Sequence, residues 1–443
     1  MNAREVALAV VRDVFPADSR RPRGAQESLD HHLRKTSLEQ RDRAFATELA
    51  YGTIKMRRTI DWYLRPYGKE RFADLPPVIR EILRLGVHEI LFMDSRAHAT
   101  VFETVNLAKK YGHRGTAGLV NAVLRNILRD EPEPPQREAF EDEDDYLGTR
   151  FSFPTWMVGR WREMFDRGYL EEILPGMNLP ARAAVRVNLL RSSVNEVREQ
   201  LANDGVLARR SNFVPEVLVI DAGMVPQESE EAAQGRWCLQ SEAAAMPVDV
   251  LNPQPGEAVL DLCSGRGNKA VQIASRLTDE GLLVCIERNS RKENLLRRRL
   301  QESGASCALT RVADARETAG AERFDRVLVD APCSGLGILA RHPEARWRKS
   351  PDDAARHAQL QLSMLSAAAQ QLMPGGAIVY AVCSNDARET RDVVDDFLRR
   401  YDCYRGLIPA RYETFQTEAG DVLVPPGKNG SDGFFIARIE RTA

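Results

Sequence analysis

Two cysteines are the residues of this chain best suited to covalent chemistry. Cys333 lies in residues 330–335, with the sequence DAPCSG, and Cys383 lies in residues 381–384, with the sequence AVCS. Each follows an apolar run that is typical of a buried strand in a parallel sheet, and ligands bind at the carboxyl ends of such strands. Two thiols there could divide one reaction into attack and release. Either cysteine alone would be more typical of a protein core.

A glycine-bearing turn is the second feature with chemical potential. Residues 259–269, with the sequence VLDLCSGRGNK, predict a strand, a turn and a helix that begins near Lys269. Glycine lets the backbone approach a ligand closely, and the N–H groups at the start of a helix can bind a carboxylate or a phosphate. The spacing excludes a P-loop, because Ala270 follows Lys269 where Ser or Thr is required. The unit is typical of proteins that bind nucleotide-like ligands.

Acidic residues follow the next two predicted strands. Glu287 comes twenty residues after Gly267 at a strand end, where a carboxylate can reach ribose hydroxyls. Asp314 follows a further strand and could accept a hydrogen bond from an adenine amino group, or it could cap a helix. These residues fit any adenosine cofactor, which leaves NAD and S-adenosylmethionine as candidates.

Length and composition are those of an ordinary globular protein. With 443 residues and 43% hydrophobic content, two or three domains are expected. The sequence has no apolar run long enough to cross a bilayer and no signal-peptide pattern at its N-terminus, so we expect a cytoplasmic protein. The seven cysteines include no CxxC pair, which indicates neither a disulfide framework nor a metal site.

Charge is distributed unevenly along the chain. Residues 1–129 contain 23 Lys and Arg against 15 Asp and Glu, a net charge of +8, whereas residues 130–145 have a net charge of −8. A basic N-terminal domain indicates a polyanionic partner such as nucleic acid. On charge alone, a solvated basic surface is an equally good interpretation.

The pattern of apolar residues divides the chain into four parts. Residues 1–129 predict an all-helical bundle, and residues 130–146, rich in acidic residues and proline, predict a solvated linker. Residues 147–234 predict a small α/β segment. In residues 235–443, strands alternate with helices, which predicts a doubly wound parallel sheet.

The combination of motifs resembles the Sun/Fmu-type RNA 5-methylcytosine methyltransferases. The resemblance lies in residues 261–269, 330–335 and 380–384, together with RVN at 186–188 and DGFF at 432–435. Near the N-terminus, residues 42–45, 49–52 and 121–125 resemble the NusB-type RNA-binding domain that one subfamily carries. The resemblance extends over essentially the whole chain. It implies a NusB-like all-α bundle, a small α/β (RRM-like) segment and a Rossmann-like methyltransferase domain.

The resemblance also implies a reaction. A thiolate would add to cytosine C6, which activates C5 for methylation, and a second cysteine would assist release. It assigns Cys383 as the nucleophile, Cys333 to release, and Asp330 to the cytosine edge or the cofactor, with Lys269 positioning Asp330 or the loop. The substrate would be small-subunit ribosomal RNA, either naked or in an early ribosomal particle, bound by a monomer in the cytoplasm. The cofactor would be S-adenosylmethionine, held by Cys263, Ser264, Gly265, Arg266, Gly267, Asn268, Lys269, Glu287, Asp314 and Asp330.

The chain departs from the family pattern in the glycine turn and before the nucleophile. Arg266 and Asn268 stand where the family usually has proline and glycine, and Asn268 tolerates a left-handed conformation better than most residues. We therefore expect cofactor binding to survive. Residues 381–382 lack the hydroxyls that commonly precede the nucleophile. Residues 342–347 (HPEARW) could contact RNA through Arg346 and Trp347, or could hold a packed Trp and a surface Arg.

Two other classes of function remain open on the sequence. One is a NusB-like RNA-binding or antitermination protein with a non-catalytic methyltransferase scaffold. The other is a dinucleotide-dependent oxidoreductase, in which Cys333 and Cys383 would lack a shared purpose. Retention of both cysteines and of the three carboxylates favours the methyltransferase.

Overall fold

The structure is a computed structural model that describes residues 1–68, 72–225, 232, 234–318 and 323–442. The chain divides into two units. The first contains Met1–Asn178 together with Leu339–Lys349, and the second contains Leu179–Ile338 together with Ser350–Ala443. The chain therefore leaves the second unit after residue 338 and returns to it at residue 350. Within the described ranges, no helix is long and apolar enough to cross a membrane.

Amphipathic helices form the first unit, which we call the helical unit. Their apolar residues recur at helical spacing, as Ile79, Ile82 and Leu83 do, and are buried in one common core. This confirms the all-helical prediction for the N-terminal part of the chain. The helices are α1 (Ala3–Val14), α2 (Ala25–Leu33), α3 (Gln40–Lys55), α4 (Arg57–Gly68), α5 (Pro77–Phe92), α6 (Ala97–Tyr111), α7 (Arg114–Asp130), α8 (Glu143–Phe151), α9 (Thr155–Arg162) and α10 (Arg167–Gly176).

The acidic stretch after α7 differs from the solvated linker that the composition predicts. Its acidic run forms the first turn of α8, where carboxylates interact favourably with the positive end of the helix dipole. Asp142 caps this helix by accepting a hydrogen bond from the backbone N–H of Asp145 at 2.7 Å, and Asp145 pairs with Arg58 at 2.5 Å. Helices α8–α10 thus belong to the helical unit, whereas the sequence pattern placed a boundary near residue 147.

A four-stranded antiparallel sheet begins the second unit. Helix α11 (Val194–Asn203) follows its first strand and starts with a capping box, in which Ser193 and Glu196 each accept a hydrogen bond from the other's backbone N–H. This is the small α/β segment that the sequence predicts. The strands are β1 (Ala184–Val187), β2 (Leu207–Arg210), β3 (Val217–Ala222) and β4 (Trp237–Leu239), in the order β2-β3-β1-β4.

A larger sheet follows, and its centre is parallel. Strands β5 to β9 run parallel, while β10 to β12 form an antiparallel edge that the sequence analysis did not predict. The order is β10-β12-β9-β8-β5-β6-β7, with β11 paired to β12. The strands are β5 (Ala258–Asp261), β6 (Leu282–Glu287), β7 (Ala308–Val312), β8 (Phe324–Asp330), β9 (Leu372–Val382), β10 (Cys403–Arg405), β11 (Val422–Val424) and β12 (Phe434–Arg441).

Apolar cores cover both faces of this sheet. Val259 and Leu260 are adjacent on β5, yet Val259 packs into one core and Leu260 into the other, because successive strand residues point to opposite faces. Burial on both faces explains the continuous apolar runs seen in the sequence. The helices of this unit's α/β core are α12 (Glu242–Leu251), α13 (Asn268–Arg276), α14 (Ser290–Ser303), α15 (Asp353–Gln371) and α16 (Arg391–Leu398).

Residues 339–349, which include the short helix Ala345–Arg348, pack in the helical unit. Trp347 donates its indole N–H to the carbonyl of Ile54 at 2.7 Å. Arg346 is wholly buried 4.1 Å from the Phe153 ring and donates to three oxygens, among them Oδ1 of Asn178 at 2.8 Å. The prediction that these two side chains contact RNA is therefore wrong. The alternative, in which the Arg lies at the surface, is also wrong. The sequence pattern of such a loop is the same whether its side chains bind RNA or pack against the rest of the chain.

Replacing Arg346 with Ala should destabilise the helical unit by about 2–5 kcal/mol, because a large buried side chain is lost and three acceptors lose their donor. Four of the five tryptophans lie in this unit, so urea unfolding followed by tryptophan fluorescence measures the change. The control is His342→Ala, an exposed position in the same segment, which should change stability by less than about 0.5 kcal/mol. Equal stability of the two variants would contradict a structural role for Arg346.

Candidate active site

The carboxyl ends of four parallel strands meet at one edge of the large sheet. In the register of this sheet, Asp261 of β5 lies opposite Leu328 of β8, and Asp330 of β8 lies opposite Ala381 of β9. Strand β5 lies between β6 and β8, so the strand order reverses there. In open α/β sheets ligands bind at this point, beyond the carboxyl ends of the strands.

The glycine turn after β5 has the backbone that a close ligand approach requires. Gly265 and Gly267 have φ angles of 56° and 87°, and Gly267 is the N-cap of α13. A Cβ on Gly267 would lie 2.6 Å from a methyl carbon of Leu296, whereas Gly265 has more open space, with the Cys263 carbonyl oxygen 4.0 Å away. Asn268 is already helical, so its tolerance of the left-handed region is not used.

The turn is tied to its surroundings by hydrogen bonds. Ser264 donates its backbone N–H to the carbonyl of Ile286 on β6 at 3.0 Å and its hydroxyl to the carbonyl of Asp261 at 3.1 Å. Arg266 is exposed. The carbonyl of Asn268 accepts a hydrogen bond from Arg186 at 3.0 Å.

Four carboxylates converge on Cys263. The pKa of this thiol is raised above its usual value, first by burial and then by the negative charges of Asp261, Asp330, Glu287 and Asp314. Three of these acids lie at the ends of β5, β6 and β8, and Asp314 follows β7. The structure thus brings together the predicted cofactor carboxylates, Glu287, Asp314 and Asp330.

Each predicted carboxylate already has a partner. Lys269 holds Asp330 with its Nζ 2.6 Å from Oδ2, as predicted, and Glu287 accepts a hydrogen bond from the backbone N–H of Asn289 at 2.7 Å. Asp314 caps a 3-10 helix and binds Arg316 at 2.7 Å, which lowers its pKa to about 2. Asp314 therefore caps a helix, which is the second of the two interpretations of this residue from the sequence.

Asp261 is the most unusual carboxyl group at this edge. It is 1% exposed, and burial raises its pKa to about 7. Its Oδ2 is buried without a hydrogen-bond partner among the described residues. A buried acceptor of this kind suits a ligand that supplies a donor. The sequence analysis included Asp261 in the glycine motif but assigned it no role.

The two cysteines lie next to each other. Their Sγ atoms are 3.2 Å apart, although fifty residues separate them in the chain. Their loops run together, since Ala331 donates its N–H to the carbonyl of Ala381 at 2.9 Å and Gly337 donates to that of Cys383 at 3.0 Å. The pKa of Cys333 is raised well above its usual value, first by the hydrogen bond with Cys383 and then by burial.

The two remaining motifs support these loops. In RVN, Arg186 is buried and binds Gln240 at 2.8 Å as well as the carbonyl of Asn268. In DGFF, Gly433 donates its N–H to the carbonyl of Gly337 at 2.7 Å. A Cβ on Gly433 would lie 2.9 Å from Cα of Gly337 on the Cys333 loop and 2.3 Å from Oδ1 of Asn385 on the Cys383 loop, so only glycine allows this approach.

Glu389 is the residue of this region that the sequence analysis missed entirely. It is wholly buried and accepts hydrogen bonds from Ser334 and Ser384, the residues that follow the two cysteines. In the sequence it is one acid among several in a polar stretch. Its distance of six residues from Cys383 matches no pattern that indicates a site.

Comparison with known proteins identifies the family that has this arrangement. A model described as 16S rRNA methyltransferase RsmB/F matches residues 248–440, a NusB family model matches residues 1–129, and a ferredoxin-like domain model of RsmF/B-like methyltransferases matches residues 153–226. A probable ribosomal RNA small subunit methyltransferase B from Bacillus subtilis (strain 168) is 30% identical over 419 residues, 92% of this chain and 93% of the relative. The chain belongs to the RsmB/F methyltransferase family.

One further relative and two solved structures each match two thirds of this chain or more. A ribosomal RNA small subunit methyltransferase B from Vibrio cholerae is 30% identical over 409 residues, 91% of either chain. The crystal structure of PH0851 matches 99% of this chain and 98% of that chain, with 25% identity and a TM-score of 0.81. A methyltransferase homologue from Pyrococcus horikoshii shares the fold over 68% of this chain and 100% of that chain, at 22% identity and a TM-score of 0.61. The predicted family and succession of domains are confirmed.

Proposed function

We propose that this chain methylates C5 of a cytosine in small-subunit ribosomal RNA, with S-adenosylmethionine as the methyl donor and a covalent bond between Cys383 and C6. The observation that carries the proposal is the 3.2 Å separation of the two cysteine Sγ atoms, beside the carboxylates at the same sheet edge. Two thiols in contact suit a reaction in which one attacks and the other assists release.

The chemistry of the carboxylates supports S-adenosylmethionine as the cofactor. When bound, it supplies an electrophilic methyl group on a positively charged sulfonium. The negative charge around Cys263 favours such a cation, whereas it would repel the two phosphates of NAD. Residues 263–269 would hold the cofactor together with Glu287, Asp314 and Asp330. The unpartnered oxygen of Asp261 and the open space at Gly265 are consistent with a ligand at this turn.

The raised pKa of Cys333 supports Cys383 as the nucleophile. Cytosine C5 is too electron-poor to accept a methyl group directly, so a thiolate must first add to C6. The raised pKa of Cys333 keeps it protonated, and its S–H can then donate to a Cys383 thiolate. Asp330, held by Lys269, would bind the N3/N4 edge of the ring and favour the addition.

The contact between the two Sγ atoms also supports a role of Cys333 in the release of the methylated RNA from Cys383. When Cys383 bonds to C6, it loses its charge and its acceptor capacity, which are two causes of the raised pKa of Cys333. The Cys333 proton can then leave to solvent. The Cys333 thiolate would then remove the C5 proton while the Cys383–C6 bond breaks. This step returns Cys383 as a thiolate and Cys333 as a thiol.

Replacing Cys383 with Ala should abolish both turnover and the covalent adduct with RNA, because the attacking atom is gone. Replacing Cys333 with Ala should instead accumulate the adduct, since the step after its formation is slowed. A denaturing gel with a small-subunit rRNA transcript and S-adenosylmethionine measures this as a shifted protein band. Cys403→Ala, on β10, is the control and should behave like the unmodified protein. An adduct in Cys383→Ala but not in Cys333→Ala would reverse the roles.

Replacing Glu287 with Ala should weaken S-adenosylmethionine binding about 10- to 100-fold, as expected for the loss of a charge-assisted hydrogen bond. Isothermal titration calorimetry without RNA measures the dissociation constant. Glu280→Ala is a matched control, because Glu280 is an exposed glutamate just before the other end of β6. Unchanged affinity in a folded Glu287→Ala protein would remove Glu287 from the proposed site.

A groove between α6 and α7 supports RNA binding by the helical unit. The groove has a volume of about 560 Å³, with Val101, Val105 and Leu128 among its apolar residues. Its lining also includes Lys109, Arg125 and Arg129, all exposed, and no carboxylate among the described residues. Phe102 lies there with 64% of its surface exposed. Cations that meet phosphates and an aromatic ring that stacks on a base are the features by which proteins bind single-stranded RNA.

Charge and stacking variants of this groove should differ in their response to salt. The double variant Lys109→Ala/Arg125→Ala should weaken rRNA binding and make the dependence of log K on log salt shallower by about 1.4, for two lost phosphate contacts. Phe102→Ala should weaken binding by about 1–3 kcal/mol without changing that slope. Filter binding across salt concentrations measures both. If Lys35→Ala/Arg41→Ala, two exposed cations elsewhere in the unit, has the same effect, the groove is not the site.

A further inference from the structure

A single buried carboxylate connects the two cysteine loops. Oε1 of Glu389 accepts the backbone N–H of Ser334 at 2.8 Å, and Oε2 accepts the hydroxyl of Ser384 at 2.6 Å and also that of Ser334. The two serine hydroxyls are themselves 3.1 Å apart. Since Ser334 follows Cys333 and Ser384 follows Cys383, each thiol is one residue away from a donor to Glu389.

The carboxylate is itself held from several directions. Glu389 ends a 3-10 helix, Ala387–Glu389, that follows β9, and its carbonyl accepts the hydroxyl of Tyr380 at 2.6 Å. On α15, Gln361 donates to the carbonyl of Pro332 at 2.9 Å and lies 3.4 Å from Oε1 of Glu389. His357, also on α15, has Nδ1 3.5 Å from the same oxygen. Glu389 is therefore anchored to β9 and α15 while it binds both loops.

A purely apolar core would not require this arrangement. A carboxylate with no exposed surface is costly unless its oxygens accept several hydrogen bonds, and here the donors come from the two loops that hold the thiols. His357, with Nδ1 3.5 Å from Oε1 of Glu389, is charged only when protonated. The free energy that holds Glu389 in place thus depends on the relative position of the loops. A change in that position would break hydrogen bonds to a buried charge.

We propose that Glu389 is a positioning residue that sets the distance between Cys333 and Cys383 by binding the serine next to each. This inference rests on the proposed function, because it assigns the two thiols to one reaction. Glu389 acts through Ser334 and Ser384, not by contact with the substrate. A displacement of a reacting group by about 1 Å can cost about 100-fold in rate. The charge of Glu389 also disfavours a thiolate at Cys333, which is consistent with a protonated release cysteine.

The length and acceptor geometry of Glu389 can be tested separately from its charge. Glu389→Ala removes every hydrogen bond to the loops, and Glu389→Asp withdraws the carboxylate by one methylene. Glu389→Gln keeps the length: its amide oxygen can accept the Ser334 N–H, and its amide nitrogen can donate to the serine hydroxyls. We expect kcat to fall about 10- to 100-fold in the Ala and Asp variants, with the KM for S-adenosylmethionine unchanged. The Gln variant should recover most of the activity.

A second measurement reports the distance between the thiols without RNA or cofactor. Diamide removes two electrons and two protons from two thiols, so that a disulfide forms and diamide becomes the hydrazine. The native protein should form the Cys333–Cys383 disulfide rapidly, as mapped by mass spectrometry. Glu389→Ala should form it markedly more slowly and Glu389→Gln at nearly the native rate. Because this assay needs no methyl transfer, it tests Glu389 even where the proposed reaction is wrong.

The control is Glu216→Ala, a buried glutamate in the same unit that binds Gln272 and Arg276. It should lower the melting temperature but leave the disulfide rate unchanged. Should Glu389→Ala not fold, Ser334→Ala/Ser384→Ala removes both hydroxyl donors and should slow the oxidation in the same direction. Native kcat and oxidation rate in Glu389→Ala, or a Glu389→Gln protein as impaired as Glu389→Ala, would overturn the proposal.

Discussion

The parallel alignment of β5, β8 and β9 is the constraint on which the rest of the site depends. Because the three strands point in the same direction, the loops that follow β8 and β9 leave the sheet at the same edge, and Cys333 and Cys383 approach to 3.2 Å. A slip of one residue in this pairing would turn Asp330 to the opposite face of the sheet. The strand register therefore brings the loops of the two thiols to the same edge, where Glu389 binds both loops.

The electrostatics of the edge follow from the same geometry. Parallel strands that end in acids place Asp261, Glu287 and Asp330 close together, and burial of Asp261 raises its pKa to about 7. Lys269 offsets part of this negative charge. Several carboxylates close together destabilise the ligand-free protein, and the binding of a cationic ligand would reduce this destabilisation. The acids thus lie around the glycine turn, and the two thiols lie on the loops after β8 and β9.

The path of the chain links the loop that contains Cys333 to the helical unit. After Cys333 the chain continues for five residues in the second unit and then enters the helical unit for residues 339–349. Arg346 is held there by three oxygens, and Trp347 by the carbonyl of Ile54. The unit with the basic groove and the loop with Cys333 are thus connected by a short covalent segment, in addition to the main chain connection near residue 178.

The sequence by itself determined the local features. It predicted the small α/β segment, the parallel strands of the large sheet, the glycine turn and the place of each cysteine after a strand, because apolar runs and glycine turns depend on neighbours a few residues away. Only the tertiary structure decided the burial of Arg346, the antiparallel edge strands and the contact of Glu389 with Ser334. These depend on residues that are not neighbours in the chain. A lone Glu or Arg has the same sequence signature whether it faces solvent or is held by donors and acceptors that folding brings to it.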